Sequence, residues 1–479
     1  MSTNPSAAEK TPASEQEPVS SEEVYARHKK VYPREVHGIF ASLRTLGVTL
    51  LLGLFYGVAW LQWDGHQAVL LDLPARKFYI FGLTFWPQDF FFFAWLLVIA
   101  ALTLFYVTSL AGRLWCGYAC PQTVWTEIFL WIERKIEGSR NQQMKRDAGD
   151  MTTTKFRVKA LKHFIWIVFS LYTGFTFVGY FTPIRELTFA VFDFNLGPWE
   201  TFWIFFYGFA TYGNAGWMRE QVCIYMCPYA RFQSAMFDKD TLIIAYDEQR
   251  GEPRGSRKRG SDPREAGLGD CVDCTLCVQV CPTGIDIRDG LQYQCIGCAA
   301  CIDVCDQIME KMDYPKGLVR YTTEHAMSGK ITHIVRPRTI MYTLLLFLLS
   351  AGLVYAISQR MALELDIIRD RNSLYRETAS GLVENVYTLK VINMDDKTHR
   401  YTLEVTGEKA GLEGLTLIRS NNPIEVPSGE VLNLPVSISI DPIRLKRPAN
   451  QIEFILSAED DPKLTRREVA RFLGPVMSR

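Results

Sequence analysis

The sequence predicts a multi-domain membrane protein: an α-helical transmembrane bundle of about five spans, a small cysteine-rich domain on the cytoplasmic side, and a C-terminal immunoglobulin-like β-sandwich. Three observations carry that prediction. Long aromatic-rich apolar blocks alternate with blocks dense in Lys and Arg, all twelve cysteines fall between Cys116 and Cys305, and beyond about residue 360 the pattern changes to short runs of alternating apolar residues. The 479 residues carry a formal net charge of zero, so nothing in the charge balance points to a nucleic-acid partner.

Residues 1–38 read as a disordered tail that becomes basic toward its end. The first twenty, MSTNPSAAEKTPASEQEPVS, hold no apolar core and no cleavable signal peptide, so the first hydrophobic segment must itself direct insertion. Five segments approach the roughly 20 apolar residues needed to cross a hydrocarbon core: about 39–61, 89–111, 163–181, 199–216 and 339–357. Four lie in a transmembrane region over 39–246, and the fifth stands alone. The fourth is short and carries Asn214, which suits an interfacial end. Lys and Arg crowd the segment before the first span, the loop between the second and third, and the stretch between the fourth and fifth. The loops at 62–88 and 182–198 hold only Arg76, Lys77 and Arg185. Positive charge is retained on the cytoplasmic side, so the N-terminus and every cysteine are expected there, with the chain after the fifth span outside.

That outer segment, 360–479, contains NVYTLKVINMD, HRYTLEVTG, EVLNLPVSISI and NQIEFILSAE, separated by turn-rich stretches such as SNNPIEVPSGE. Alternation between turn clusters predicts an antiparallel sandwich, here with no disulfide to staple it.

Within 247–338, CVDCTLCVQVCP (Cys271–Pro282) and CIGCAACIDVCD (Cys295–Asp306) form an internal repeat offset by 24 residues. Each is C-x-x-C-x-x-C-x-x-x-C, the run with which bacterial ferredoxins bind a pair of 4Fe-4S clusters. Three closely spaced thiolates wrap one cubane, and the fourth arrives from the other run. By that crossed logic Cys271, Cys274, Cys277 and Cys305 hold one cluster, and Cys295, Cys298, Cys301 and Cys281 the other. Two zinc sites would leave the third cysteine of each run without a use. Gly284 and Gly297 are expected where backbone must approach sulfide, and Asp306 stands where the usual run has proline. The basic linker after residue 247 is either solvated or set against lipid headgroups.

A second repeat sits at the membrane edge. CGYACP (Cys116–Pro121) is matched 107 residues later by CIYMCP (Cys223–Pro228), each shortly after a span returning to the cytoplasm. Cysteines at i and i+4 share a helix face, and the following proline suits the first turn of a new helix. Beyond Pro121, the spacing of Val124, Ile128, Ile132 and Ile136 predicts an amphipathic interfacial helix. Arg113, Arg219 and Arg231 are expected to favour thiolate over thiol. Cys116, Cys120, Cys223 and Cys227, with Met226 as a further soft donor, suit Cu(I). The alternatives are a redox-active thiol pair or plain structural residues. No span carries two histidines, which argues against an intramembrane bis-histidine haem.

Together, RLWCGYACPQTVW, CIYMCPYARFQSAMFDKDTLIIAYDEQRGEPRG, GDCVDCTLCVQVCPTGIDIRDGLQYQCIGCAACIDVCD and the exported β-domain resemble the CcoG/FixG/RdxA-like cytochrome c oxidase accessory proteins over nearly the whole chain. The resemblance implies a bacterial inner-membrane polyferredoxin, with its C-terminal domain in the periplasm, that reduces Cu(II) to Cu(I) during assembly of cbb3-type haem-copper oxidase. On that reading electrons pass from a cytoplasmic donor through two 4Fe-4S clusters to copper at the four edge thiols. Beyond the bilayer, the partners are a copper chaperone or exporter, oxidase assembly factors and, as a further candidate, a second copy of the chain. Two other readings stand beside it: a quinol-linked electron-transfer subunit of a respiratory reductase, and a non-enzymatic copper-binding scaffold.

Overall fold

The computed structural model describes residues 30–475, apart from 64, 263, 265, 266, 372, 396, 409, 410, 419–421 and 446. Residues 1–29 of the predicted tail lie outside the described residues. In chain order the helices are α1 (Ile39–Val58), α2 (Phe90–Ala111), α3 (Leu114–Tyr118), α4 (Pro121–Glu137), α5 (Arg140–Ala148), α6 (Thr153–Val178), α7 (Ile184–Phe192), α8 (Pro198–Thr211), α9 (Pro228–Met236), α10 (Glu248–Gly251), α11 (Leu276–Gln279), α12 (Ala300–Met312), α13 (Glu324–Met327) and α14 (Pro337–Ser358).

Four of these, α1, α2 with its leading turn, α6 and α14, are long and apolar enough to cross a membrane. The predicted fourth span is α8, only 14 residues long, which continues through π-helical Tyr212–Met218 with its backbone still in the helical region. The third begins ten residues earlier than its apolar run suggests. The first turns of α6 are amphipathic, and Lys159 and Lys162 turn inward to the carboxylates of Glu137 and Asp147 instead of to water.

At the end of the bundle that carries the cysteines, α1 begins at Gly38, which offers no side-chain cap. The orphan amides are met from another domain: the Asp303 carboxylate on α12 accepts from Phe40 N at 3.2 Å and Ala41 N at 2.7 Å. An anion at a helix N-terminus is stabilised by the macrodipole as well as by the hydrogen bonds. The cysteine-rich domain is thus pinned to the first membrane helix. The basic linker after α10 is also partly fixed, since Asp270 at its far end pairs with Arg250 of α10 at 2.6 Å and Arg257 within it donates to Tyr314 Oη.

At the opposite end, Trp86 packs with Ile392 and Met394 of the sandwich. Arg360, just past α14, donates to Asp89 at 2.7 Å and to Thr84 O at 2.8 Å. The sandwich therefore docks on the loop between the first two spans. Its first sheet runs Thr416–Ile418, Val431–Ile440, Val383–Asn393, Leu363–Arg369, and its second Ile424–Val426, His399–Thr406, Ala449–Ala458, Thr465–Leu473. The strand Val383–Asn393 alternates buried and half-buried residues, and Tyr387, Leu389, Tyr401 and Phe454 are fully buried between the sheets. Inward-facing large apolar residues do the work a disulfide does in smaller sandwiches.

One polar device closes this core. His399 is buried, and its ring donates to Asp460 at 2.7 Å and Asp395 at 2.8 Å. Burial works against a charged ring, but the hydrogen bonds to Asp395 and Asp460 outweigh it and raise the pKa above the ordinary histidine value. A raised histidine stabilises fully below the unfolded pKa of about 6.5 and loses that contribution as pH rises through the folded value. Hydrogen exchange in segments 394–400 and 458–462 should accelerate as pH climbs above about 6.5, beyond the intrinsic base-catalysed rate. That excess should vanish in His399→Asn; an equal excess in the variant would refute the clamp.

Candidate iron–sulfur and thiol site

The cysteine-rich domain rests on two short strands, Ile243–Tyr246 and Val319–Thr322, paired antiparallel with Ile244 opposite Tyr321. Its sequence repeat is also a backbone repeat. Asp273 and Gly297 share positive φ (50° and 69°), as do Thr275 and Ala299 (56° and 58°), and the chain then enters α11 or α12. Left-handed residues bend each run tightly enough to turn its first three sulfurs toward one centre. Cys271, Cys274, Cys277 and Cys305 line one cavity. Cys281, Cys295, Cys298 and Cys301 line a second, with Cys277 on their shared wall. The last cysteine of each run therefore sits with the other run.

The residues fit cubane clusters. Each cavity offers four sulfurs within apolar walls, and backbone N–H groups of Gly297 and Ala300 donate to Cys295 and Cys298. Burial pushes the thiols of Cys277, Cys295 and Cys305 up to about 12; bound iron would supply the positive charge that so many neighbouring sulfurs need. Among the described residues no three His, Cys, Asp or Glu side chains close tightly enough to hold a single ion, and a cubane spaces its thiolates more widely than one ion does. A side chain at Gly284 would also meet Val31, and one at Gly297 would meet Arg113 O, so besides their positive φ these glycines allow packing on the N-terminal segment and the membrane edge. The Asp306 carboxylate accepts from Gly317 N at 2.8 Å, holding the loop that leads to Val319–Thr322.

The edge motifs repeat in three dimensions. After α2 the chain turns at Gly112 (φ 55°, ψ −116°), and after the π segment at Arg219 (φ 43°, ψ −112°), the residue at the same 107-residue offset. Arg219 pays for that turn with a conformation costly to a residue bearing a Cβ. Cys120 and Cys227 are the N-caps of α4 and α9, each with proline at the first helical position. Cys116 lies on α3, and Cys223 in the π-helical turn Val222–Met226. The four sulfurs share one field: Cys223 feels Cys120, Cys116 and Cys227, and Cys116 feels Cys120 and Cys227. They are close enough to interact, though not closed around one point. Met226 stands apart, 58% exposed.

The nearby arginines do not produce the expected thiolates. Burial pushes Cys116 up to about 11 and Cys223 up to about 12. Arg113 gives its protons to carbonyls, Cys295 O at 3.1 Å and Ala230 O at 2.9 Å among them, Arg219 pairs with Glu133 at 2.6 Å, and Arg231 is exposed. Desolvation outweighs these spent cations.

Three features escape sequence reasoning. Gln122 binds the two motifs together through Asn214 O (2.8 Å) and Arg219 O (3.1 Å). Fully buried Gln233 brings its amide to 3.3 Å from the Cys116 sulfur. Glu133 and Glu137, buried on α4, gather Lys30, Lys159, Lys162 and Arg219 into one network. Only the last leaves a trace in sequence: two acids four residues apart beside an apolar stripe.

The edge motif lies directly on the second cysteine group. Cys116 packs in one apolar cluster with Cys298, Ile296 and Val280. A Cβ on Gly117 would stand 2.8 Å from Gly297 O and 2.9 Å from the Cys298 Cα. Only glycine permits that approach.

Comparison with known proteins agrees with this layout. Residues 218–324 match the profile of a "4Fe-4S dicluster domain" and 92–138 that of a "4Fe-4S binding domain". Residues 353–475 match the "IG-like fold at C-terminal of FixG". The nitrogen fixation protein FixG of Rhizobium meliloti is 38% identical over 424 residues, 81% of each chain. Protein RdxB of Cereibacter sphaeroides is 39% identical over 434 residues, 87% of this chain and 90% of its own. Protein RdxA of the same organism is 40% identical over 406 residues, 82% and 85%. A crystal structure of a FixG-related protein from Vibrio parahaemolyticus covers 24% of this chain and 98% of its own, at 36% identity and a TM-score of 0.22.

Proposed function

Because the chain belongs to the FixG/RdxA family of membrane iron–sulfur electron-transfer proteins, we propose that it reduces Cu(II) to Cu(I) for assembly of a cbb3-type haem-copper oxidase. Cys271, Cys274, Cys277 and Cys305 would hold one 4Fe-4S cluster, and Cys281, Cys295, Cys298 and Cys301 the other. Bound there, the clusters supply one-electron redox chemistry. Cys116, Cys120, Cys223 and Cys227 receive the cupric substrate at the inner membrane face. Thiolate sulfur prefers the cuprous product, so these residues favour reduction as well as position the ion. Ionising buried thiols costs free energy that the incoming cation offsets, and the protons leave as it binds. By the distribution of Lys and Arg, the cysteines face the cytoplasm and the sandwich the periplasm. Cu(I) then passes to a chaperone or exporter, and the sandwich meets assembly factors.

The observation that carries this reading is the packing of Cys116 against the apolar cluster that holds Cys298, together with the close approach of its neighbour Gly117 to the Gly297–Cys298 backbone, which sets the edge motif directly against the second cysteine group. Anaerobic mixing of dithionite-reduced protein with Cu(II) tests it. Wild type should regain its oxidised absorbance with release of chelatable Cu(I), and Cys116→Ser with Cys223→Ser should lose at least tenfold in rate while keeping its iron. Equal rates would end the proposal.

A second reading has its own support: both edge pairs fall inside regions matched by iron–sulfur profiles. On that reading the four thiolates hold an iron–sulfur centre of their own. Iron content decides, about eight atoms per chain for two cubanes against about twelve for three.

A further inference from the structure

Beside the edge thiols lies a cavity of about 850 Å³ that copper reduction does not use. Its walls are the first three turns of α1, the α4 face from Gln122 to Arg134, and the backbone around Ile296–Ala300. Cys223 and Cys298 both border it. Its rim includes Leu46 and Trp131, 55% and 51% exposed, with Leu46 on a helix apolar enough to span the membrane. The cavity is therefore reached from lipid. Its inner end is polar: Glu127 accepts from Arg134 at 3.1 Å and stands 4.0 Å from Arg44, which donates to Cys298 O at 3.0 Å. The Nε of Arg134 is buried with no hydrogen-bond partner.

Charge selects the occupant. The four arginines of the lining, Arg34, Arg44, Arg134 and Arg219, are balanced by Glu35, Glu127 and Glu220 in the same lining and by Glu133 against Arg219, so an anionic headgroup would find little buried cationic charge left to neutralise. A neutral amphiphile with an apolar tail and hydroxyl groups satisfies both ends. Its place between Cys223 and Cys298 suits a redox-active molecule. We infer that this cavity binds a membrane quinol, the electron donor for the reaction proposed above, on which the inference rests. One quinol hydroxyl donates to the Glu127 carboxylate, and the Nε–H of Arg134 donates to a quinol oxygen. The quinol gives up two electrons and two protons to become a quinone. The two electrons would be received, one each, at the two cluster sites formed by Cys271, Cys274, Cys277 and Cys305 and by Cys281, Cys295, Cys298 and Cys301; one proton goes to Glu127 and the other to water at the opening by Arg34 and His37, both exposed.

The test uses the full-length, cluster-loaded protein in detergent. An azidoquinone should photolabel peptides within 31–49 and 121–138, in competition with decylubiquinone. Decylubiquinol or menadiol should bleach the cluster absorbance anaerobically. Thr126→Trp, which fills the cavity, should reduce labelling and quinol bleaching at least tenfold while dithionite bleaches it as in wild type. Glu127→Gln should keep the label but slow bleaching, since it retains the hydrogen bond and loses the proton acceptor. If Thr126→Trp fails to hold iron, labelling of wild type and Glu127→Gln decides. Labelling elsewhere, no bleaching by either quinol, or a Thr126→Trp defect confined to Cu(II) reduction overturns the inference. Dithionite-reduced protein that reduces Cu(II) while quinol stays inert would overturn the donor alone, and protein lacking iron and sulfide would overturn the function as well.

Discussion

Glu133→Ala should destabilise the cysteine-bearing end of the protein by about 3–5 kcal/mol, the usual consequence of removing one partner from a buried ion pair. Glu133 is 1% exposed and faces Arg219 at 2.6 Å, Lys30 at 3.1 Å and Lys162 at 3.4 Å. Burial opposes its charge, yet Arg219, Lys30 and Lys162 together bring its pKa down to about 2. Without this carboxylate, buried Lys162 and Arg219 lose much of their compensation, and Arg219 must still hold the positive-φ turn that leads to Cys223. The sign of the pH effect follows. A depressed carboxylate contributes fully above its unfolded pKa, near 4.5, and the contribution is lost as pH falls toward 2. Wild type should therefore lose stability across that window faster than Glu133→Gln, which should already be weakened at pH 7. Thermal unfolding in detergent, with proteolysis at 138–152 as the local probe, measures both. A loss at pH 7 below about 1 kcal/mol would mean that the network is not what holds this end together.

How much of this was legible follows from the range of each signal. The eight ferredoxin-type cysteines announce themselves because their spacing is local, and a backbone that turns every two residues leaves little freedom in where the sulfurs go. The sandwich is equally plain, since alternation in strands such as Val383–Asn393 survives in one dimension. The start of α6 was hidden: Lys159 and Lys162 look like solvated charge until α4 and α5 supply their partners from outside the segment. Sequence proximity misleads about the thiol environment for the same reason. Arg113 is near Cys116 in sequence, but its hydrogen bonds go to Cys295 O and Ala230 O, far along the chain. Gln233 and Asp303 carry no local signature, because what each does depends on a partner more than a hundred residues away.

Gly117→Ala should slow electron delivery to the edge thiols by about tenfold or more while leaving every cysteine in place. The methyl group would sit 2.8 Å from Gly297 O and 2.9 Å from the Cys298 Cα. Both are backbone atoms, one in a left-handed turn, so no flexible side chain can yield and α3 must back away from the second cysteine group. Iron and sulfide content should stay at wild-type level, because none of the eight cysteines assigned above to the two clusters lies on α3. Dithionite bleaching should also be unchanged. Only reoxidation by Cu(II) should lag, and it should lag without the loss of copper affinity expected when a thiol is removed. Gly53→Ala is the matched control: it lies on a membrane helix, and a Cβ there meets nothing within 4 Å. If Gly117→Ala reoxidises as fast as Gly53→Ala, the close approach is a packing detail, and electrons reach the edge thiols by a route that does not pass Cys298.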